Sequence, residues 1–145
     1  MAQNADLESK VIQQFIVKSK QDRYLQFVNS PKNRKKLIAN LAHFHDLDED
    51  SFELVTGIEE DVVRKALAQQ GISASTCYVI SENSRIDTLT LGLSEAMRET
   101  IGQQMGTFLV FGNADALYYE SETMKIRYIS KPRPSRPWLK VWSKG

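Results

Sequence analysis

The chain holds a single cysteine, Cys77, among its 145 residues, and that count alone removes several chemistries. No internal disulfide can form, and neither a zinc-ribbon spacing nor a Cys-x-x-Cys redox pair is possible. A reducing, cytoplasmic setting is the expectation. Long apolar runs are also missing, since no stretch approaches the roughly eighteen residues that a membrane-spanning helix requires. The opening Met-Ala-Gln-Asn-Ala-Asp-Leu-Glu is polar and acidic where a secretory leader would be basic and then apolar. Neither export nor membrane insertion is expected. No phosphate loop is present either. Gly102 and Gly106 lie between a helical pattern and a strand pattern, the reverse of the order that puts helix N-terminal amides after the glycines, and they read as a cap and a turn.

Whole segments lack charge of one sign. Positions 46–61 carry eight acids and no base, and positions 125–145 carry seven bases and no acid. Lys32, Arg34, Lys35 and Lys36 form a third block just after Pro31. The net charge is only +1, so these blocks, and not the total, are what bear on partners. With 41% hydrophobic and 26% charged residues the composition is that of a folded domain, not a disordered chain.

Periodicity predicts the elements. Leu7, Val11, Ile12, Phe15 and Ile16 make a helical stripe over 6–20, and 23–28 continues as a second helical segment. Ser30 and Pro31 read as an N-cap and first helical position, opening a third helix with Leu37, Ile38, Leu41, Phe44 and His45 on its apolar side. The basic block then decorates its solvent side. A short strand is expected at 52–55, and a helix over 57–70, begun by a capping box from Thr56 to Glu59 and ended by Gly71. Positions 76–80 read as an inner strand, 82–88 as a loop, and Leu93, Ala96, Met97, Thr100 and Ile101 as a helix. Three strand-like runs follow at 107–111, 116–120 and 125–130, forming a meander. The fold class expected is α+β, with N-terminal helices packed on one face of a small, mostly antiparallel sheet that ends in the meander. We divide the chain into one globular domain, 1–130, and a basic Pro- and Trp-containing tail, 131–145.

Candidate chemistry is sparse. His43 and His45, followed by Asp46, Asp48, Glu49 and Asp50, are metal-ligand types. Two helical positions apart, however, the imidazoles point about 200° apart, so no metal is assigned. Cys77 lies mid-strand with no base or helix N-terminus to activate it and reads as a packing residue. Glu82, Arg85 and Asp87 occupy a polar loop at the carboxyl end of the inner strand, where they form a speculative ligand loop with two carboxylates for acid and base and a cation for an anion. An ordinary connecting loop accounts equally for their polarity. No catalytic residue, metal or cofactor is assigned.

The tail is the most informative stretch. Arg133, Arg136, Trp138, Lys140, Trp142 and Lys144 interleave cations with indoles, and an extended 138–144 would put Trp138, Lys140, Trp142 and Lys144 on one face. Such a face suits phosphates and unstacked bases. A structural strap, with the indoles covering core, is the alternative use. The preferred functional reading is a small non-enzymatic binding module acting through protein contacts, self-association included. Nucleic-acid binding through Lys32, Arg34, Lys35, Lys36 and the tail is the second reading. A small hydrolase or ligand-binding protein using the 82–87 loop is the third.

Overall fold

The computed structural model describes residues 3–57, 59–123 and 126–132. Its architecture is α+β, with five helices and a six-stranded sheet, the helices gathered toward the N-terminus and the strands toward the C-terminus. In chain order these are α1 (Ala5–Phe15), α2 (Gln21–Val28), α3 (Arg34–Asn40), β1 (Phe52–Leu54), α4 (Glu60–Gln69), β2 (Thr76–Ser81), β3 (Thr90–Gly92), α5 (Leu93–Thr100), β4 (Thr107–Phe111), β5 (Ala116–Glu120) and β6 (Arg127–Ser130). The strand order is β1-β6-β5-β4-β2-β3, and every neighbouring pair is antiparallel.

Alternation along the strands sorts the core into two layers. Tyr78, Ile80, Phe108, Val110, Leu117 and Tyr119 face α1, α2 and α3, the side where the N-terminal helices were expected. Cys77, Val79, Leu109, Phe111, Tyr118 and Ile129 face the opposite way and are covered by α4 and α5. Both faces are therefore buried, which explains why β4 and β5 read as continuous apolar runs with all five residues of each buried. The strand with Cys77 is an inner one, as expected, although β4 and β5 take the centre.

Several expected boundaries move, each for a local reason. The first helix stops at Phe15, not Lys20, because Ile16 turns extended and bridges Leu47, with Val17 N–H donating to Asp46 O at 2.8 Å and Asp48 N–H to Phe15 O at 2.8 Å. Ser30 does not open the third helix directly: its carbonyl accepts from Asn33 N–H and Arg34 N–H, a turn that delays α3 to Arg34. That helix ends at Asn40, before a 3-10 turn over Leu41–His43 and an extended Phe44. Phe44 then points inward and His45 lies exposed, so His45 is not on an apolar helix face. The capping box at Thr56 does not form, and α4 starts at Glu60, after Gly57 at φ +121°. Gly71 closes α4 as expected, at φ +76°, with Ile72 N–H donating to Leu67 O and Gly71 N–H to Ala68 O, the paired bonds of a left-handed helix stop.

Candidate functional site

Arg34 is turned inward, not solvent-facing as the helical pattern suggests; the residue is only 9% exposed. Its Nη2 and Nε reach Glu8 on α1, the shortest contact being 2.7 Å, and its Nη1 and Nη2 reach Asp87 at 2.6 and 2.9 Å. Tyr78 on β2 donates to Glu8 Oε2 at 2.7 Å, and Ser81 N–H donates to Asp87 Oδ1 at 3.0 Å. Burial works against the Arg34 charge, but the hydrogen bonds from Asp87 and Glu8 outweigh it and hold the guanidinium protonated beyond its ordinary range. Burial likewise pushes the Tyr78 phenol up. The cluster joins α1, α3, β2 and the loop after β2 in one closed set of partners. Its carboxylates are engaged with a cation and amides, which suits holding the layers together.

The remaining members of the 82–87 loop are engaged as well. Glu82 Oε1 accepts from Gly106 N–H at 2.7 Å, and Arg85 pairs with Glu99 at 3.4 Å on the surface. Thus Asp87 and Arg34, read from the sequence as parts of two different sites, meet each other, while Glu82 and Arg85 go elsewhere. Lys32, Lys35 and Lys36 are exposed, with Lys36 Nζ 5.8 Å over the Phe27 ring. Through Arg34 this block sits at the end of the sheet where β2 finishes. Pro132, by contrast, lies at the other end, which we call the foot, where β4 finishes and β5 begins. Arg133, Arg136, Trp138, Lys140, Trp142 and Lys144 lie outside the described residues.

A second buried charge pair sits under α5. Glu120 and Arg127 approach to 3.2 Å, both nearly inaccessible, and Glu120 also accepts from Tyr118 Oη at 2.9 Å and Gly102 N–H at 2.9 Å. Arg127 donates further to Gly57 O, which ties β6 to the loop before α4. Burial pushes the Glu120 carboxyl up, against the pull of Arg127, the Gly102 amide and the Tyr118 hydroxyl. Among the described residues no group of three or more His, Cys, Asp and Glu is arranged to hold a metal ion, and His43 and His45 are both exposed. No described helix is long and apolar enough to cross a membrane. Cys77 is buried, and burial pushes its thiol up to about 12, the opposite of an activated nucleophile.

Two concavities flank α4. At the foot of the sheet a cavity of about 420 Å³ is walled by Ile72, Ala74, Phe111 and Ala116, with Asp115, Lys131 and Pro132 on its rim. Beside it, sharing Gln70, a groove of about 220 Å³ runs between α4 and β1, floored by Val55, Val62, Ala66 and Ile129. Leu54 lines this groove and is 55% exposed, the most exposed large apolar side chain among the described residues. Leu54 also belongs to an edge strand. The β6 ladder uses Ser51 O and Val55 N–H, so by antiparallel alternation the backbone groups of Phe52 and Leu54 face outward. The sequence shows a short strand here but not its place at an edge, because that place depends on β6, more than seventy positions away.

No protein-family profile, curated protein or solved structure matches this chain.

Proposed function

We propose that this chain is a non-enzymatic protein-binding module whose docking surface is the open edge of β1 together with the groove between β1 and α4. The observation that carries the reading is Leu54, a large apolar side chain 55% exposed on a strand edge with unpaired backbone groups, next to an apolar groove. Edge strands of this kind are ordinarily blunted by charge, proline or a covering element, and one left open beside a groove suits addition of an extended segment from a partner. Main-chain hydrogen bonds would supply affinity and the groove would select side chains at alternate positions. Acids surround this surface, with Glu53 on its wall, Glu49 and Asp50 before β1 and Glu59, Glu60 and Asp61 at the start of α4. The partner segment that fits is extended, apolar at alternate residues and flanked by cations.

The test uses the full chain as bait, wild type beside Leu54→Arg and beside a Lys32→Gln/Lys35→Gln/Lys36→Gln variant, with and without nuclease. The reading expects a partner that survives nuclease and the lysine changes but is lost with Leu54→Arg. A partner retained by Leu54→Arg would sink it. Sedimentation of the purified chain shows whether the partner is a second copy.

The nucleic-acid reading is supported by the exposure of Lys32, Lys35 and Lys36. Those lysines and the root of the basic tail lie at opposite ends of the sheet, so one continuous basic stripe needs the tail to cross the domain. Nuclease-sensitive capture abolished by the triple lysine change would favour it over the first reading.

A further inference from the structure

We propose that the C-terminal segment folds back onto its own domain and seats Trp138 in the cavity at the foot of the sheet. This cavity is separate from the β1 groove apart from the shared Gln70, so the inference stands independently of the docking surface above.

Four observations converge on it. The cavity, at about 420 Å³, is large enough for an indole, and its walls are Ile72, Ala74, Phe111 and Ala116, the kind of lining that gains from covering by an aromatic ring. Its position is set by the chain itself. Lys131 and Pro132 form part of the rim, so residues 133–145 begin at the mouth and do not have to travel to it. Trp138 is the first aromatic side chain after Pro132, and the five intervening residues make a connection of ordinary loop length, with Pro134 to favour a turn. Trp142, four positions further on, would leave a longer and looser closure.

Charge supplies the third argument. Lys131 N–H donates to Ser51 O at 2.8 Å, which brings the basic segment out beside the 3-10 turn Glu49–Ser51 and its neighbour Asp48. Arg133 and Arg136 therefore start next to Asp48, Glu49 and Asp50, with Glu53 one strand position beyond Phe52. A segment with seven bases and no acid in 125–145 meets the acidic block 46–61 at this place, which draws the tail onto the domain and away from solution. The fourth argument is polar: an indole N–H entering the cavity needs an acceptor, and the Asp115 carboxylate and Gln70 amide both stand on the lining.

The tail is then a self-ligand, with Trp138 as its anchor. The chain contains only two tryptophans, both in this segment, so indole fluorescence reports on nothing else. In full-length Trp142→Phe the remaining Trp138 is expected to emit blue-shifted from solvent-exposed indole and to be quenched by acrylamide several-fold more slowly, at every protein concentration. Filling the cavity with Ala74→Phe in that background should return Trp138 to solvent-like emission while the far-ultraviolet dichroism stays folded. The milder Ala74→Leu serves the same purpose if the larger ring unfolds the domain. Solvent-like emission of Trp138 in the folded parent overturns the proposal. So does a blue shift that survives both cavity-filling changes, since Trp138 would then be buried elsewhere. A shift that vanishes on dilution overturns the intramolecular form, because the indole would be entering a second copy.

Discussion

Arg34 and Asp87 lie 53 positions apart in sequence and join through two parallel hydrogen bonds of 2.6 and 2.9 Å. The same guanidinium grips Glu8 on its other edge, so one cation neutralises two carboxylates inside a nearly closed space. Charge so placed is costly to strand. Arg34→Met should leave Glu8 facing Tyr78 without a counterion and destabilise the domain by roughly 3–5 kcal/mol. Asp87→Asn should cost less, since Glu8 still partners the arginine. Lys32→Gln, Lys35→Gln and Lys36→Gln, on the same stretch but exposed, should each stay within about 0.5 kcal/mol. Urea midpoints of the five variants check the order, and an Arg34→Met as mild as the lysine changes would refute the interlock.

Gly106 answers to a different constraint. A Cβ there would stand 2.2 Å from both the carbonyl carbon and oxygen of Leu41, which are backbone and cannot step aside. Gly106→Ala should therefore push β4 away from the chain after α3 and cost about 3 kcal/mol. Gly92, with nothing within 4 Å of its added Cβ, is the matched comparison; Gly92→Ala is expected within about 0.5 kcal/mol. Thermal unfolding of the pair gives the difference directly.

Alkali should unfold this protein sooner than its neutral-pH stability suggests. Burial raises the phenols of Tyr24, Tyr78 and Tyr118, takes Tyr119 up to about 12, and takes the Cys77 thiol up to about 12. Each group holds its proton more tightly when folded, so its contribution to stability is whole below the unfolded pKa. It is lost as pH climbs from there through the folded value. The loss begins near 9.0 for the thiol and 10.0 for the phenols. Urea midpoints should be flat up to that range and fall steeply above it, with tyrosinate absorbance and thiol labelling rising together as the chain opens. Labelling of Cys77 at neutral pH in the folded chain would contradict this.

The elements that the sequence discloses are those whose pattern is local. The stripe from Leu7 to Ile16 and the runs at β2, β4 and β5 all survive as buried helix or strand. What could not be read was set by residues far apart. Ile16 leaves its helix to bridge Leu47, and β3, only three residues long, exists because β2 offers it a ladder. Arg34 was assigned to solvent because lysine neighbours surround it. The missing half of the signal was Glu8, which falls on the α1 stripe with Val11, Ile12 and Phe15 and asks for a buried counterion. The edge position of Leu54 had no local trace at all, since a strand of Phe-Glu-Leu looks the same at an edge or within a sheet.

The strand order carries a cost during synthesis. β6, the last strand made, lies between β1, the first, and β5, so β1 emerges from the ribosome some seventy residues before the only strand it pairs with. Until Arg127–Ser130 arrives, β1 and one side of β5 are both unpaired, and at roughly 5–20 residues per second that interval lasts several seconds. A nascent chain stalled short of residue 127 would therefore expose two sticky strand edges at once, the condition that recruits chaperones or seeds aggregation. The domain must close late and nearly in one step, and its final hydrogen bonds are the ones that remove its most aggregation-prone surface.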